Sequence, residues 1–397
     1  MTGCFRRIRP SNKYGFHKMK ICLYNVTSCH IAGGLETCYW EMGRALSRRG
    51  HDVTLVAGAR GQAWHDEVKL LQFPFRLEQD WPNFGHRFQR LMERLSFARH
   101  AVGHLVTAKY DAVVICKPFD FPVMWYARRR GMKAATIFHT GGTDFFWGDR
   151  WFVSAIDTLL GVSRYTAQQQ EQRYARSVSI LHNGVDVEHF QPRTRQAALR
   201  QKWGFSHSSH NPRLLVSVGR LVGWKGLRTV IHALTQLPDD VCYLVVGTGP
   251  EEQALRALTT SLKLDGRVHF TGRIDHAKLP EVLCEADLYV QPSIGEEAFG
   301  ISVAEAMACG LPVVASRNGG LPEVVAEGET GWLAAPGDSS QWATILAEAL
   351  GDPLRLQRMG QAARQRAITE FTWVACAAKL ERFIQDLTKD SQICAAS

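Results

Sequence analysis

Two doubly wound, Rossmann-like α/β domains facing a central cleft are what this sequence predicts. Three observations carry the prediction. The chain has 397 residues, more than one hydrophobic core usually serves, so two domains are expected. Short apolar runs alternate with longer segments of helical character, the strand–loop–helix–strand unit of a parallel sheet. Gly-rich and charged loops follow several of those runs, at the strand ends where open parallel sheets hold ligands.

Bulk composition narrows the class. Hydrophobic residues at 45% and charged residues at 21% fit a soluble globular enzyme. The net charge of +9 favours anionic partners, such as nucleotide phosphates or an anionic membrane face, and does not demand nucleic acid. The ten cysteines include no Cys-x-x-Cys pair, and Cys22, Cys242 and Cys284 lie in apolar runs. Reduced core thiols and a cytoplasmic location are the expectation. Cys29, His30 and Cys38 lack a fourth ligand at zinc-like spacing. No apolar run reaches the ~18 residues of a membrane span, and no signal-peptide pattern is present. Residues 1–18 carry Arg6, Arg7, Arg9, Lys13 and Lys18 without an acidic residue. They read as a disordered basic extension from an upstream start codon, with Met19 as the natural start.

The first domain is expected over residues 19–200. Lys20 to Val26 and His51 to Ala57 read as strands. Between them Gly33 and Gly34 open a helix, and paired glycines there let a phosphate approach closely, although a lone pair also serves as a plain turn. Trp81 to Val106 sets Arg87, Arg90, Arg94 and Arg99 against Leu91, Leu95, Phe97 and Val102. This is a core-packed helix with a solvated basic face, or alternatively a membrane-surface helix. Tyr110 to Cys116 and Ala134 to Phe138 are further strands. His139 follows the second, where open sheets bind ligands. Phe145, Phe146, Trp147, Trp151 and Phe152 come next; sugars, lipid tails and an ordinary core all accept such rings. Leu159 to Ser163 is another strand, Ile180 to Asp186 closes the domain, and Asn183-Gly184 is a turn. The polar stretch Arg193 to Pro212 is the expected linker.

The second domain is expected over residues 211–371. Its first strand, Leu214 to Val218, runs into Gly219-Arg220-Leu221-Val222-Gly223-Trp224-Lys225-Gly226. Two cations five apart on such a loop can converge on a diphosphate, or else remain solvated surface charges. Val241 to Val246, and Arg267 to Ile274 with its loop, come next. Ala286 to Pro292 is a buried strand, Ser302 to Cys309 a helix with Gly310 at its C-cap, and Pro312 to Ala315 the following strand. The helix N-terminus near Gly300 and Ile301 offers free N–H groups to an anion. Glu297 lies just outside that helix and Glu305 within it, a span of roughly 12 Å at most if helical. That is about the reach from a sugar, across a diphosphate, to a ribose. The plainer alternative makes Glu297 a cap and Glu305 a solvated helix residue. An amphipathic helix, residues 372–388, ends the fold.

The run Glu297-Ala298-Phe299-Gly300, with Glu305-Ala306-Met307-Ala308 and Gly310-Leu311-Pro312-Val313-Val314-Ala315, resembles the signature of the retaining family-four glycosyltransferases of GT-B fold. The resemblance covers nearly everything from Met19 to Leu387. It implies that Glu305 binds the ribose and that Glu297 and His139 act at the donor sugar. It assigns Gly33, Gly34, Arg220, Lys225, Gly300 and Ile301 to the donor phosphates, and Arg273 and Ile274 to the base. Asn183 falls at the cleft, with Phe145 and Trp147 as acceptor candidates, and the last helix crosses back to the first domain. No cofactor is implied; the nucleotide-diphosphate sugar is a co-substrate. No Asp-x-Asp occurs, so no metal is expected. The implied activity is retaining sugar transfer to a glycan or lipid-linked acceptor, in bacterial cell-surface polysaccharide or lipopolysaccharide assembly. The enzyme would be cytoplasmic and peripheral on the inner membrane face, with no nucleic-acid partner. Two alternatives are a non-catalytic sugar-nucleotide-binding partner of an assembly complex and a sugar-nucleotide epimerase of the same fold.

Overall fold

The computed structural model describes residues 18–30, 33–142, 144–196, 199–200, 203 and 212–396, the side chains of 390–396 excepted. The basic extension expected at 1–18 therefore lies outside the described residues as far as 17, as does most of the expected linker, residues 204–211 included.

The chain divides into two compact units. One gathers the described residues of Met1–Leu160, Gln170–Leu181 and Cys376–Ser397; the other gathers Gly161–Gln169 and His182–Ala375. The described residues of 182–200 thus group with the second unit, not with the first as the sequence suggested. The reason is local pairing: the Val185 N–H bonds the Phe371 carbonyl at 2.7 Å, and Phe190 joins the second unit's core.

In the first unit, β1 (Lys20–Tyr24), β2 (Asp52–Gly58), β3 (Lys69–Phe73), β4 (Ala112–Ile115), β5 (Ala135–Thr140), β6 (Thr158–Gly161) and β7 (Ser179–Ile180) form one sheet, ordered β3-β2-β1-β4-β5-β6-β7. The pairs β1–β2, β2–β3, β1–β4 and β4–β5 are parallel. Helices α1 (Gly34–Arg48), α2 (His86–Thr107), α3 (Phe121–Arg129) and α4 (Asp149–Phe152) connect the strands, and α5 (Arg164–Tyr174) belongs to this unit from Gln170 onward. β3, an edge strand with half-buried side chains, was not read from the sequence. On α2, Arg94 departs from the expected basic face: it is buried and paired with the buried carboxylate of Asp120, at the turn after β4. A buried charge persists only with such a partner.

The second unit holds β8 (Arg213–Val218), β9 (Val241–Val246), β10 (Val268–Gly272), β11 (Leu288–Gln291), β12 (Val313–Ser316) and β13 (Gly331–Ala334), ordered β10-β9-β8-β11-β12-β13. All five pairs are parallel. Both faces are covered: Leu214, Val216 and Leu244 point into one core, Leu215, Tyr243 and Val245 into the other. That explains why these strands read as continuous apolar runs. Their helices are α6 (Leu227–Leu234), α7 (Glu252–Ser261), α8 (Leu279–Leu283), α9 (Ile301–Ala308), α10 (Leu321–Val324), α11 (Ser339–Gly351) and α12 (Pro353–Glu370). The last helix, α13 (Trp373–Ala396), enters the first unit from Cys376, where buried Glu381 accepts a hydrogen bond from Arg49 at 2.7 Å.

Helix α9 stops where its sequence says. Gly310, at φ +83°, donates to the Met307 carbonyl at 2.9 Å, and Leu311 donates to Ala306 at 3.1 Å. These two bonds are a Schellman motif, which needs a residue free to adopt positive φ. Among the described residues no helix is long and apolar enough to cross a membrane.

Candidate active site

Strand order places the site of the second unit. The chain winds outward in both directions from β8 and β11, which are neighbours. At such a switch point the loops leaving the two strand ends diverge and leave a crevice. Here those loops are Gly219–Gly226 and Pro292–Gly300.

Backbone contacts lock the two loops together. The Trp224 carbonyl accepts the N–H groups of Ile294 at 2.8 Å and Gly295 at 3.0 Å. Gly226 sits at φ +65°, and a Cβ there would lie 2.0 Å from the Pro292 carbonyl oxygen. Lys225 is thereby carried to Glu297, with Nζ 2.6 Å from Oε2. Ser293 Oγ at 3.2 Å and Gln291 Nε2 at 3.3 Å donate to the same oxygen, and the Tyr289 hydroxyl donates to Gln291 Oε1 at 3.0 Å. The ammonium lies 4.7 Å from the centre of the Trp224 ring. Trp224, without a role in the sequence reading, is thus a clamp through its carbonyl and a neighbour of the cation through its ring. Each side chain of the Lys225–Glu297 pair is 14% exposed, so the pair is reachable from solvent but not bathed in it.

A third loop braces Glu297 from behind. The Gly320 N–H donates to the Glu297 carbonyl at 2.7 Å, and Asn318 Nδ2 donates to Gly295 O at 2.9 Å. Gly319 has φ +58°, and a Cβ on it would sit 2.2 Å from the Glu297 carbonyl oxygen. Only glycine satisfies both conditions.

Helix α9 begins beside this cluster. Gly300, at φ +94°, is its N-cap; the Val303 and Ala304 N–H groups return to the Gly300 carbonyl, and no side chain caps the end. The N–H groups of Ile301 and Ser302 precede the first intrahelical bond and make a positive helix end. Further along, Glu305 is buried with Oε1 2.8 Å from His276 Nε2. The solvated-helix alternative for Glu305 is therefore excluded. Arg220 is exposed on the same loop as Lys225, with no ion pair or side-chain hydrogen bond among the described residues. Arg273 is exposed just past β10, while Ile274 is half-buried against the core. Asn183 is buried in this unit too.

The first unit carries the other expected residues. Gly33 caps α1 in extended backbone that any residue adopts, but a Cβ there would lie 2.9 Å from Glu36 Oε2. Its need is for space, not for positive φ. Glu36 is buried, its carboxyl pushed up by burial and steadied by the Thr27 hydroxyl, which donates at 2.6 Å. Gly34 is the first residue of α1; the preceding Ile31-Ala32 lie outside the described residues. His139 lies within β5 itself, one residue before its end, and is 1% exposed. Its Nε2 donates to the Leu181 carbonyl at 2.9 Å, and burial pushes its pKa down to about 4. The ring is neutral near pH 7 and cannot act as a cation. Phe145 packs edge-on against Tyr174, whereas Trp147 is exposed and meets Trp151 at 5.1 Å.

Among the residues expected from the sequence, Lys225, Glu297, Gly300 and Ile301 come together at the β8 and β11 strand ends. Sequence reasoning missed Gln291, Ser293, Asn318, Gly319, Gly320 and His276. Gln291-Pro292-Ser293 carried a usable signal, as polar residues closing a buried strand. The Asn318-Gly319-Gly320 turn carried another.

Comparison with known proteins bears on the family and the fold. The Glycosyl transferases group 1 family matches residues 200–366, and Glycosyltransferase Family 4 matches residues 32–189. A GDP-mannose-dependent alpha-(1-6)-phosphatidylinositol monomannoside mannosyltransferase of Mycolicibacterium smegmatis is 32% identical, over 89% of this chain and 94% of its own. An N-acetyl-alpha-D-glucosaminyl L-malate synthase of Bacillus anthracis is 24% identical, over 94% of this chain and 99% of its own. Among solved structures, the Anabaena protein HepE in complex with UDP and glucose superposes with a TM-score of 0.75 at 24% identity, covering 92% of this chain and 99% of that one. The same two-sheet fold, both halves matched and a relative aligned along nearly its whole length lead to one conclusion: the chain belongs to the group 1 glycosyltransferases of GT-B fold.

Proposed function

We propose that the chain is a retaining, metal-independent transferase that moves a hexose from a nucleotide-diphosphate sugar to a lipid-linked or glycan acceptor. The observation that carries the reading is the Lys225–Glu297 pair beside the uncapped start of α9. In the proposed reaction the bond between the anomeric carbon and the phosphate oxygen breaks, and its electron pair stays on the diphosphate. The acceptor hydroxyl oxygen bonds the anomeric carbon on the same face, and its proton passes to the departing phosphate oxygen. Lys225, the exposed Arg220 and the α9 N–H groups stabilise the charge that builds on the diphosphate, as preorganised donors do. Glu297 steadies the sugar as it becomes cationic, and Glu305 accepts from the ribose hydroxyls. Arg273 and the backbone at Ile274 meet the base. For the first unit the proposal assigns Gly33 and Gly34 to phosphate and neutral His139 to a sugar hydroxyl. Asn183, Phe145 and Trp147 are assigned to the acceptor.

The donor named for the M. smegmatis relative makes GDP-mannose the first to try. A role in cell-surface polysaccharide or lipopolysaccharide assembly at a membrane face is supported by the net charge of +9 and by exposed Phe84, Trp147 and Trp151. The test is a thermal-shift panel of nucleoside diphosphates and their sugars, followed by transfer in EDTA and NMR of the product's anomeric proton. Donor consumption that yields an α-linked product from an α-linked donor supports the proposal. An inverted product, or epimerised donor without transfer, contradicts it.

A further inference from the structure

We infer that His276 is a positioning residue for the ribose of the nucleotide, acting through the hydrogen bond between its Nε2 and Glu305 Oε1. The inference rests on the nucleotide-sugar reading of the site. It starts from an oddity of α9, Ile-Ser-Val-Ala-Glu-Ala-Met-Ala, in which Glu305 is the single charged residue. A carboxylate buried in such surroundings needs a partner. His276 supplies it at 2.8 Å, from an imidazole that is 52% exposed against 8% for the Glu305 side chain. A carboxylate oxygen accepts only, so Nε2 donates. With Oε1 held, the carboxylate plane is fixed and Oε2 keeps its lone pairs for a neighbouring hydroxyl.

The imidazole is itself held. His276 opens a short turn, His276–Lys278, that starts four residues after β10 ends at Gly272. The Asp275 carboxylate caps the turn, accepting from the Ala277 N–H at 3.1 Å. The His189 ring stacks on His276 with centroids 6.1 Å apart, and its Nε2 donates to the His276 carbonyl at 3.3 Å. The Phe190 ring meets His276 edge-on at 5.1 Å. A surface histidine so braced presents its N–H in one direction. The turn also follows Arg273 and Ile274, the residues assigned to the base, so the base contacts and the residue that holds Glu305 share one short segment.

Calorimetric titration of GDP and UDP, and of their 2′,3′-dideoxy forms, into the wild type, His276→Ala and His276→Gln tests this. For the nucleotide that binds, His276→Ala is expected to lose about tenfold in affinity, the equivalent of one hydrogen bond, and to lose less than about twofold for the dideoxy form. His276→Gln, whose amide N–H can reach the same oxygen, is expected to regain most of the loss. Equal losses for both forms, or no loss for either, overturn the inference alone. A wild-type chain that binds neither GDP nor UDP overturns the reading of the site as well.

Discussion

Replacing Lys225 by Ala removes the ammonium that lies 2.6 Å from Glu297, three residues before the uncapped start of α9 at Gly300. Two estimates of the effect agree. A unit charge pair at ~4 Å in a surface crevice of effective dielectric ~20 is worth about 4 kcal/mol before solvent screening. Loss of one preorganised donor to a developing anion lowers kcat by roughly 10²- to 10³-fold, or about 3–4 kcal/mol. The fold itself loses less, because Gln291 and Ser293 still donate to Glu297 Oε2. One missing charged hydrogen bond of that kind costs about 1.5–3 kcal/mol. The assay is release of nucleoside diphosphate at saturating donor and acceptor, with urea unfolding on the same preparation. A fall in kcat below about threefold in a variant that unfolds cooperatively would refute the phosphate role. A large fall accompanied by unfolding is resolved by the pair Lys225→Ala and Glu297→Gln together. The double variant should recover stability and remain inactive.

Further expectations concern neighbouring groups. Glu305→Ala should weaken nucleoside diphosphate binding by about 10- to 100-fold, as loss of a charged acceptor does; unchanged calorimetric affinity would reject the ribose assignment. Gly319→Ala should cost about 1–3 kcal/mol, since its Cβ would press on the Glu297 carbonyl at 2.2 Å and φ is +58°. It should lower kcat as well, and an unchanged Tm with wild-type kcat would contradict the bracing role. His139 has a folded pKa of about 4, against the ordinary 6.5. Between those values the unfolded chain binds the extra proton, so stability rises with pH across the window and is lost on acidification. The contribution is about 3 kcal/mol. Replacing His139 by Gln should therefore flatten the stability curve from pH 6.5 to 4, and parallel curves for the two proteins would contradict this.

What the sequence disclosed, and what it hid, follows from the range of the forces involved. The apolar runs of β8, β9 and β12 were legible because strands buried on both faces have no polar side to interrupt them. The end of α9 was legible because Gly310 is a local requirement. Edge strand β3 was not, since its side chains are half-buried and its pattern weak. Lys225 and Glu297 could each be suspected, but 72 positions separate them, and only the strand order makes them neighbours. Arg94 looked like a surface cation because nothing near it in sequence announces Asp120, 26 positions on. His276 and Glu305, 29 apart, were hidden for the same reason. His139 was read as lying just past its strand, but it sits inside β5, and its neutrality comes from burial, which one-dimensional reading does not supply.

The most direct measurement is a crystal structure of the chain grown with the nucleoside diphosphate that stabilises it most. The account predicts phosphate density against Lys225 Nζ and the N–H groups of Ile301 and Ser302, with the ribose hydroxyls on Glu305 Oε2. Nucleotide bound away from the ends of β8 and β11, or phosphates that leave Lys225 paired only with Glu297, would contradict it.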